Sequence, residues 1–436
     1  MVKEILEAKS FAVIGASGEE NSVGYIIFKN LIDSNVKVFP VNPNREEILG
    51  KKCYKSVLDL SEKVDCAIVV VNVKLVLKIL KEVQKRGIRD VVVISAGFSE
   101  SGNNNGEVEV RDFCCENKMK LLGPNVLGFV NPLNGVNASF FEGDLKKGKT
   151  AFLSQSGAIG VGVLDMNVGL SGFVSLGNMA CLDFSYFIDY YSKDNHTDKI
   201  AIYMESLKPG RGEEFIEACK RCKKPIVILK SGKSEVGKKA ASSHTAALAS
   251  EKGIYEGVFK QLGLKEVDSI SELFGLKKFL SKKKIELKKG KNRACVITNA
   301  GGLGVLTSDY CFKNNIKIVE VSEKVKEKLN GVLPEGWSHN NPIDILGDAQ
   351  PDRFEKVFNI LEKEDFFDFY LVLLTPQYMT NPEETAEVLL GLKKPVVACF
   401  MGGSMIRSSE KILEGKIAFF KEPFDMCREV GKELNN

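Results

Sequence analysis

Long apolar runs are missing from this 436-residue chain: none reaches the length of a membrane span, and residues 1–10 alternate charge with apolar side chains instead of building a secretory core. The chain therefore reads as soluble and cytoplasmic, with no membrane partner. Aromatic residues make up 8%, tryptophan occurs once, and histidine only three times. Any histidine chemistry must fall on His196, His244 or His339. A one-signed charge excess is missing too: 61 Lys and Arg face 57 Asp and Glu, a net +4. The basic runs 282–284 and 288–291 stand where a linker is expected, so nucleic acid is not implied as a partner. A second Cys-x-x-Cys at zinc spacing is lacking as well. Cys219 and Cys222 form one such pair late in a helical stretch, Cys114 and Cys115 are adjacent, and Cys66, Cys295 and Cys399 fall inside apparent strands. These read as small buried hydrophobes in a reducing compartment, and no metal site is expected.

What is present is ordinary globular composition, 44% hydrophobic and 27% charged, in a chain too long for one core. Short β-rich runs alternate with helical ones at 11–14, 36–41, 66–71, 91–95 and 120–122. That is the rhythm of a parallel sheet with crossover helices. The run Ile68-Val69-Val70-Val71 is apolar and β-branched throughout, as a strand covered on both faces requires. The rhythm restarts at 150–153 after a Gly/Lys-rich join at 143–149, and again at 294–298 after the charged stretch 281–292. The expectation is an α/β protein of three doubly wound domains in series, at 1–130, 149–281 and 293–436. The first is Rossmann-like and the other two flavodoxin-like.

Gly15-Ala16-Ser17-Gly18 follows the first strand, where backbone N–H groups facing a helix start receive phosphate. A dinucleotide fingerprint would place glycines at 15, 17 and 20, but Ser17 and Glu20 stand there. The second strand ends in Pro40-Val41-Asn42-Pro43, without the acidic group that an NAD ribose needs. A nucleotide with a 3′-phosphorylated ribose, such as CoA, suits this rim better; the alternative is a tight turn with no ligand. Gly123-Pro124-Asn125 follows the fifth strand at the carboxyl edge, where Asn125 offers an amide to a thioester carbonyl or a phosphate. Two later strands end in similar turns, Ser154-Gln155-Ser156-Gly157 and Thr298-Asn299-Ala300-Gly301-Gly302. Each presents N–H groups at a helix start, and two such ends aimed at one point would hold a phosphate. Each turn taken singly reads equally as ordinary capping.

The stretch 230–250 is small and polar and reads as a loop. His244 lies in it, and an imidazole on such a loop can accept and donate a phosphoryl group because its neutral nitrogen is nucleophilic near pH 7. His196 and His339 read as structural. Glu205 ends the strand 200–204, where a carboxylate could orient that imidazole; a lone Glu at a strand end is otherwise simply solvated.

In this order the motifs resemble the α subunit of ADP-forming acetyl-CoA synthetase, itself similar to succinyl-CoA synthetase. The resemblance spans nearly the full chain. It takes in the turns above together with Ser95-Ala96-Gly97-Phe98, Ser175-Leu176-Gly177-Asn178, Ser243-His244-Thr245 and Asn341-Pro342-Ile343-Asp344. It implies a first domain that holds CoA or acyl-CoA through Gly15, Ser17, Gly18, Pro40, Asn42, Ser95, Ala96, Gly97, Pro124 and Asn125. It implies phosphate held by Ser154, Gln155, Ser156, Gly157, Ala300, Gly301 and Gly302. It implies His244 as the phosphorylated residue with Glu205 orienting it. Delivery to ADP then requires an ATP-grasp β subunit carrying ADP/ATP with Mg, in an α2β2 assembly. Departures stand at Ala246 and Ser250, where the family has glycine and where their side chains stiffen the histidine loop, at Ser206 in place of glycine, and at Val126 in place of cysteine. Two rival readings are a CoA or acyl-CoA sensor without catalysis and an NAD-dependent oxidoreductase.

Overall fold

The computed structural model describes residues 2–245, 252–279 and 281–435, apart from the side chains of 242–245 and 252. The chain divides into two compact units, one formed by 1–160, 169–228 and 258–265, the other by 161–168, 229–257 and 266–436.

The first sheet is built from β1 (Ser10–Ile14), β2 (Lys37–Val41), β5 (Cys66–Val69), β6 (Asp90–Val93) and β7 (Lys120–Leu122), with a small hairpin of β3 (Glu47–Ile48) and β4 (Lys51–Lys52) beside it. Its order is β2-β1-β5-β6-β7, all parallel. β5 is buried at every residue because it is paired on both sides and covered on both faces. The crossover helix Val73–Lys85 turns Val76, Leu80 and Val83 inward at helical spacing. The chain leaves β1 to one side for β2 and returns on the other side for β5, so the direction reverses at the β1/β5 crevice.

The second sheet joins β8 (Gly128–Asn131), β9 (Val136–Ser139), β10 (Lys147–Ser154), β11 (Leu170–Ser175), β12 (Lys199–Met204), β13 (Ile226–Lys230) and β14 (Lys265–Val267) in the order β14-β13-β12-β10-β11-β8-β9. β10 runs parallel to β11 and β12, whereas β8 is antiparallel to β11 and to β9. The hairpin β8/β9, ahead of the join at 143–149, thus adds two antiparallel strands that the repeating α/β rhythm does not announce.

The third sheet contains β15 (Arg293–Thr298), β16 (Lys317–Ile318), β17 (Ile343–Asp344), β18 (Phe369–Leu374), β19 (Val396–Phe400) and β20 (Ala418–Phe420). Its order is β16-β15-β18-β19-β20, with β17 paired to the end of β15. The run 316–321 is strand-like in composition, but only Lys317–Ile318 within it form strand. Asn341 takes over beside it: its side chain accepts from Val296 N–H and donates to the carbonyls of Ala294 and Val319, zipping the gap beside β15. The stretch 230–250 is corrected. Residues Glu235–Thr245 form a helix, because the Lys, Ala and Glu content favours it once Ser234 supplies its hydroxyl to Gly237 N–H at 2.9 Å.

Candidate functional site

At the β1/β5 crevice the chain turns sharply on Gly15, whose φ of +95° and whose packing leave no room for a side chain: a Cβ there would stand 2.0 Å from the carbonyl oxygen of Val70. Gly24 completes the close approach, since a Cβ on it would lie 2.2 Å from the oxygen of Gly15. Gly24 escaped sequence reasoning, although a glycine in the first turn of a helix after a Gly-rich loop is the signal for it. The helix itself begins at Val23 and is capped by Ser22, whose hydroxyl accepts from Tyr25 N–H at 3.2 Å. Gly18 is exposed and has open space around its Cα. Ser17 is turned to its own loop, accepting from Glu19 N–H. Asn42 donates to the carbonyl of Ala16 at 2.9 Å and accepts from Asn44 N–H, so it shapes the loop. Pro40 sits on edge strand β2, paired with Val13, where its missing N–H costs no ladder bond.

Farther along the same edge, the Ser95 hydroxyl bridges Val71, donating to its carbonyl at 2.6 Å and accepting from its N–H at 3.1 Å. Ala96 is exposed. Gly97 and Phe98 both give their N–H groups to the Glu100 carboxylate, at 2.5 and 3.1 Å. Asn125, at a φ of 59° that asparagine tolerates better than most residues, binds the Ser95 carbonyl through its N–H at 3.0 Å. Its side chain donates to Asn178 Oδ1 at 3.3 Å, and the carbonyl of Pro124 accepts from Asn178 N–H. Asn178 is held in turn by Glu100 and Glu107, whose carboxylates lie 2.5 and 2.8 Å from its Nδ2. Lys208 pairs with Glu107 at 2.6 Å. Burial alone would raise the Glu107 carboxyl, but hydrogen bonds from Lys208 and Ser99 outweigh it and hold it below its ordinary value. Glu107 and Lys208 gave no sequence signal because they meet only through the fold.

The 154–157 turn follows β10 at the carboxyl edge of the second sheet. Ser154 donates to the carbonyl of Ser156 at 2.6 Å, and the Ser156 hydroxyl accepts from Ile159 N–H as the cap of the helix Gly157–Asp165. Gln155 reaches across to the end of β12: its Oε1 accepts from the N–H groups of Glu205 and Ser206 at 2.9 and 3.0 Å. Its Nε2 donates to Ser206 Oγ at 3.4 Å. Glu205 is buried and accepts from Tyr203 OH. Two residues picked separately from sequence, Gln155 and Glu205, thus belong to one constellation, and Ser206 supports the same bridge.

In the other unit, β15 ends at Thr298 and the 300–302 turn opens the helix Gly301–Lys313, whose N-cap residue Ala300 has no side-chain acceptor to cap it. Asn299 braces the turn by exchanging two 2.9 Å hydrogen bonds with the backbone of Thr375. His244 lies in the helix Glu235–Thr245; its side chain, together with Ala246 and Ser250, is outside the described residues. His196 is exposed at a loop tip, and His339 binds the carbonyl of Glu335 and packs against Trp337. Cys219 is pushed up to about 12 by burial, which leaves a protonated and unreactive thiol. Among the described residues no group of three or more His, Cys, Asp or Glu side chains could hold a metal ion, and no helix is long and apolar enough to cross a membrane.

Three family models match in series: a CoA binding domain over residues 9–132, a succinyl-CoA ligase-like flavodoxin domain over 147–280 and a ligase-CoA domain over 294–423. A CoA-binding domain followed by two ligase domains defines the class as succinyl-CoA ligase-like. Acetate–CoA ligase [ADP-forming] I of Archaeoglobus fulgidus is 40% identical over 98% of this chain and 63% of its own length. The α subunit of acetate–CoA ligase [ADP-forming] II of Pyrococcus furiosus is 37% identical over 98% of this chain and 96% of that one. The dinucleotide-forming acetyl-coenzyme A synthetase 1 of Ca. Korarchaeum cryptofilum, solved with phosphate and ADP, superposes with a TM-score of 0.60 at 32% identity, covering 100% of this chain and 96% of that one. The chain belongs to the ADP-forming acetate–CoA ligase family. It spans less than two thirds of the Archaeoglobus relative's length.

Proposed function

We propose that this chain is the α subunit of an ADP-forming acyl-CoA synthetase, with acetyl-CoA as the first substrate to test. On this reading residues 1–130 hold CoA at the β1/β5 crevice, where Gly18 is open to solvent and Asn125 is oriented by Asn178. Orthophosphate attacks the thioester carbonyl, the C–S bond breaks, and CoA leaves as the thiol with acyl phosphate formed. The phosphoryl group then passes to a ring nitrogen of His244 and the carboxylate departs. Glu205 stabilises the charge that the imidazole gains. The 154–157 helix start, in residues 149–281, is a phosphate-binding element on this reading, and the 300–302 helix start, in residues 293–436, is another. Phosphohistidine is finally discharged to ADP, bound with Mg on an ATP-grasp β subunit, in an α2β2 assembly.

The observation that carries this reading is the Gln155 bridge. It joins the backbone of the buried Glu205 to the turn that opens the helix Gly157–Asp165, which supports reading the Glu205 carboxylate and an anion-binding helix start as parts of one site. That is the arrangement needed to bind phosphate and then to stabilise an imidazolium. The test is incubation of the full chain with acetyl-CoA and labelled orthophosphate. Alkali-stable label that disappears in His244→Ala is the expected result. Label that survives that substitution overturns the assignment, and CoA binding without any label would instead make the chain a CoA sensor.

A further inference from the structure

The backbone of the segment that leads into the His244 helix converges on one carboxylate of its own unit. Asp309 lies roughly two turns into the helix Gly301–Lys313. Its Oδ2 accepts from Gly232 N–H at 2.7 Å and Lys233 N–H at 3.1 Å. Its Oδ1 accepts from Ser234 N–H at 2.8 Å and Ser234 Oγ at 2.7 Å. Four donors from three consecutive residues therefore converge on one side chain, and the negative charge faces the positive end of the helix Glu235–Thr245. The fit is tight, since a Cβ on Gly237 would stand 2.0 Å from Asp309 Oδ1. Lys233 is fastened separately to Glu266 at 2.6 Å, and Lys239 pairs with Glu320.

An ordinary N-cap needs one local oxygen, and Ser234 already provides it to Gly237. The Asp309 bonds do something different: they join two helices distant in sequence. One carries His244; the other begins at the turn assigned to the phosphate. Releasing 232–234 would strand a carboxylate and three N–H groups together, which favours this root staying docked.

We propose that Asp309 is a positioning residue for phosphoryl transfer, anchoring the root of the His244 segment on the helix that starts at the 300–302 turn. This rests on the histidine reading above. The test follows labelling of the full-length chain by acetyl-CoA and labelled orthophosphate in rapid-quench mode, for Asp309→Asn and for Gly237→Ala, which wedges the same contact from the other side. Both variants are expected to slow labelling by on the order of 10-fold to 100-fold, with the final extent of label and the CoA affinity kept. An unchanged rate in both variants, or a reduced extent reached at the wild-type rate, overturns the proposal, because the latter reports only loss of folded protein. Ser234→Ala, which removes one of the four donors to Asp309 together with the cap on Gly237 N–H, leaves three backbone donors in place and is expected to slow labelling less than Asp309→Asn. Absence of label in the unmodified chain would overturn the histidine reading itself, and this inference with it.

Discussion

A buried carboxylate needs a partner for its charge, and Glu205 draws a hydrogen bond from Tyr203 while its backbone is locked by Gln155. Glu205→Gln keeps the shape and removes the charge. It is expected to slow acetyl-CoA-dependent labelling by about 10-fold to 100-fold while CoA affinity, measured by calorimetry, stays the same; an equal fall in affinity would make Glu205 structural. At Gly15 the constraint is steric. Alanine there meets the Val70 carbonyl at a φ of +95°, and Gly15→Ala is expected to cost about 2–4 kcal/mol in urea unfolding. Gly18→Ala, with nothing within 4 Å of its added Cβ, is expected to stay within about 0.5 kcal/mol of the parent. The two glycines of one motif thus do different jobs, a difference that the motif does not display.

Elements are legible in the sequence where one face or both are apolar without interruption. Ile226–Lys230, Phe369–Leu374 and Val396–Phe400 keep the bounds that their β-branched and aromatic runs suggest, and Lys120–Leu122 keeps those that its leucine pair suggests. The hairpin β8/β9 is not legible in that way, because Asn131, Asn137 and Ser139 break the apolar pattern, yet Asn134-Gly135 between the strands is a hairpin signal. The helix Glu235–Thr245 reads as a loop because its side chains are small and polar; the Ser234 cap starts it, and the Asp309 carboxylate, 75 residues from Ser234, holds the residues just ahead of it. The site divides likewise. Strand-end residues such as Glu205, Asn125 and the turns at 154–157 and 300–302 are found by counting along the chain. Glu107, Lys208 and Asp309 are found only by folding it, as are the contacts that Gln155 and Asn178 make.

Across the whole molecule, stability is tied to pH through Glu422. This carboxylate, 5% exposed, accepts from the N–H groups of Ile270 and Ser271 and from Ser271 Oγ. Burial pushes it up to about 7 from an ordinary 4.5, further than the Ser271 hydrogen bonds pull it down. Between those two values the folded chain holds a proton that the unfolded chain has released, so folding stability falls as pH rises from about 4.5 to about 7, by on the order of 3 kcal/mol. Thermal unfolding across that range checks the slope, and Glu422→Gln is expected to flatten it; a parent curve that rises with pH through the window contradicts the assignment.

The chain matches nearly all of the Pyrococcus α subunit and less than two thirds of the Archaeoglobus relative. What it does as a unit accordingly turns on whether it carries out the acyl-CoA and phosphate half of the chemistry on its own histidine. Peptide mapping of the acetyl-CoA- and phosphate-treated chain by electron-transfer mass spectrometry measures this directly. A single acid-labile phosphoryl group on His244 is the expected result; a phosphoryl group on any other residue, or none on a chain that binds CoA, contradicts the histidine assignment.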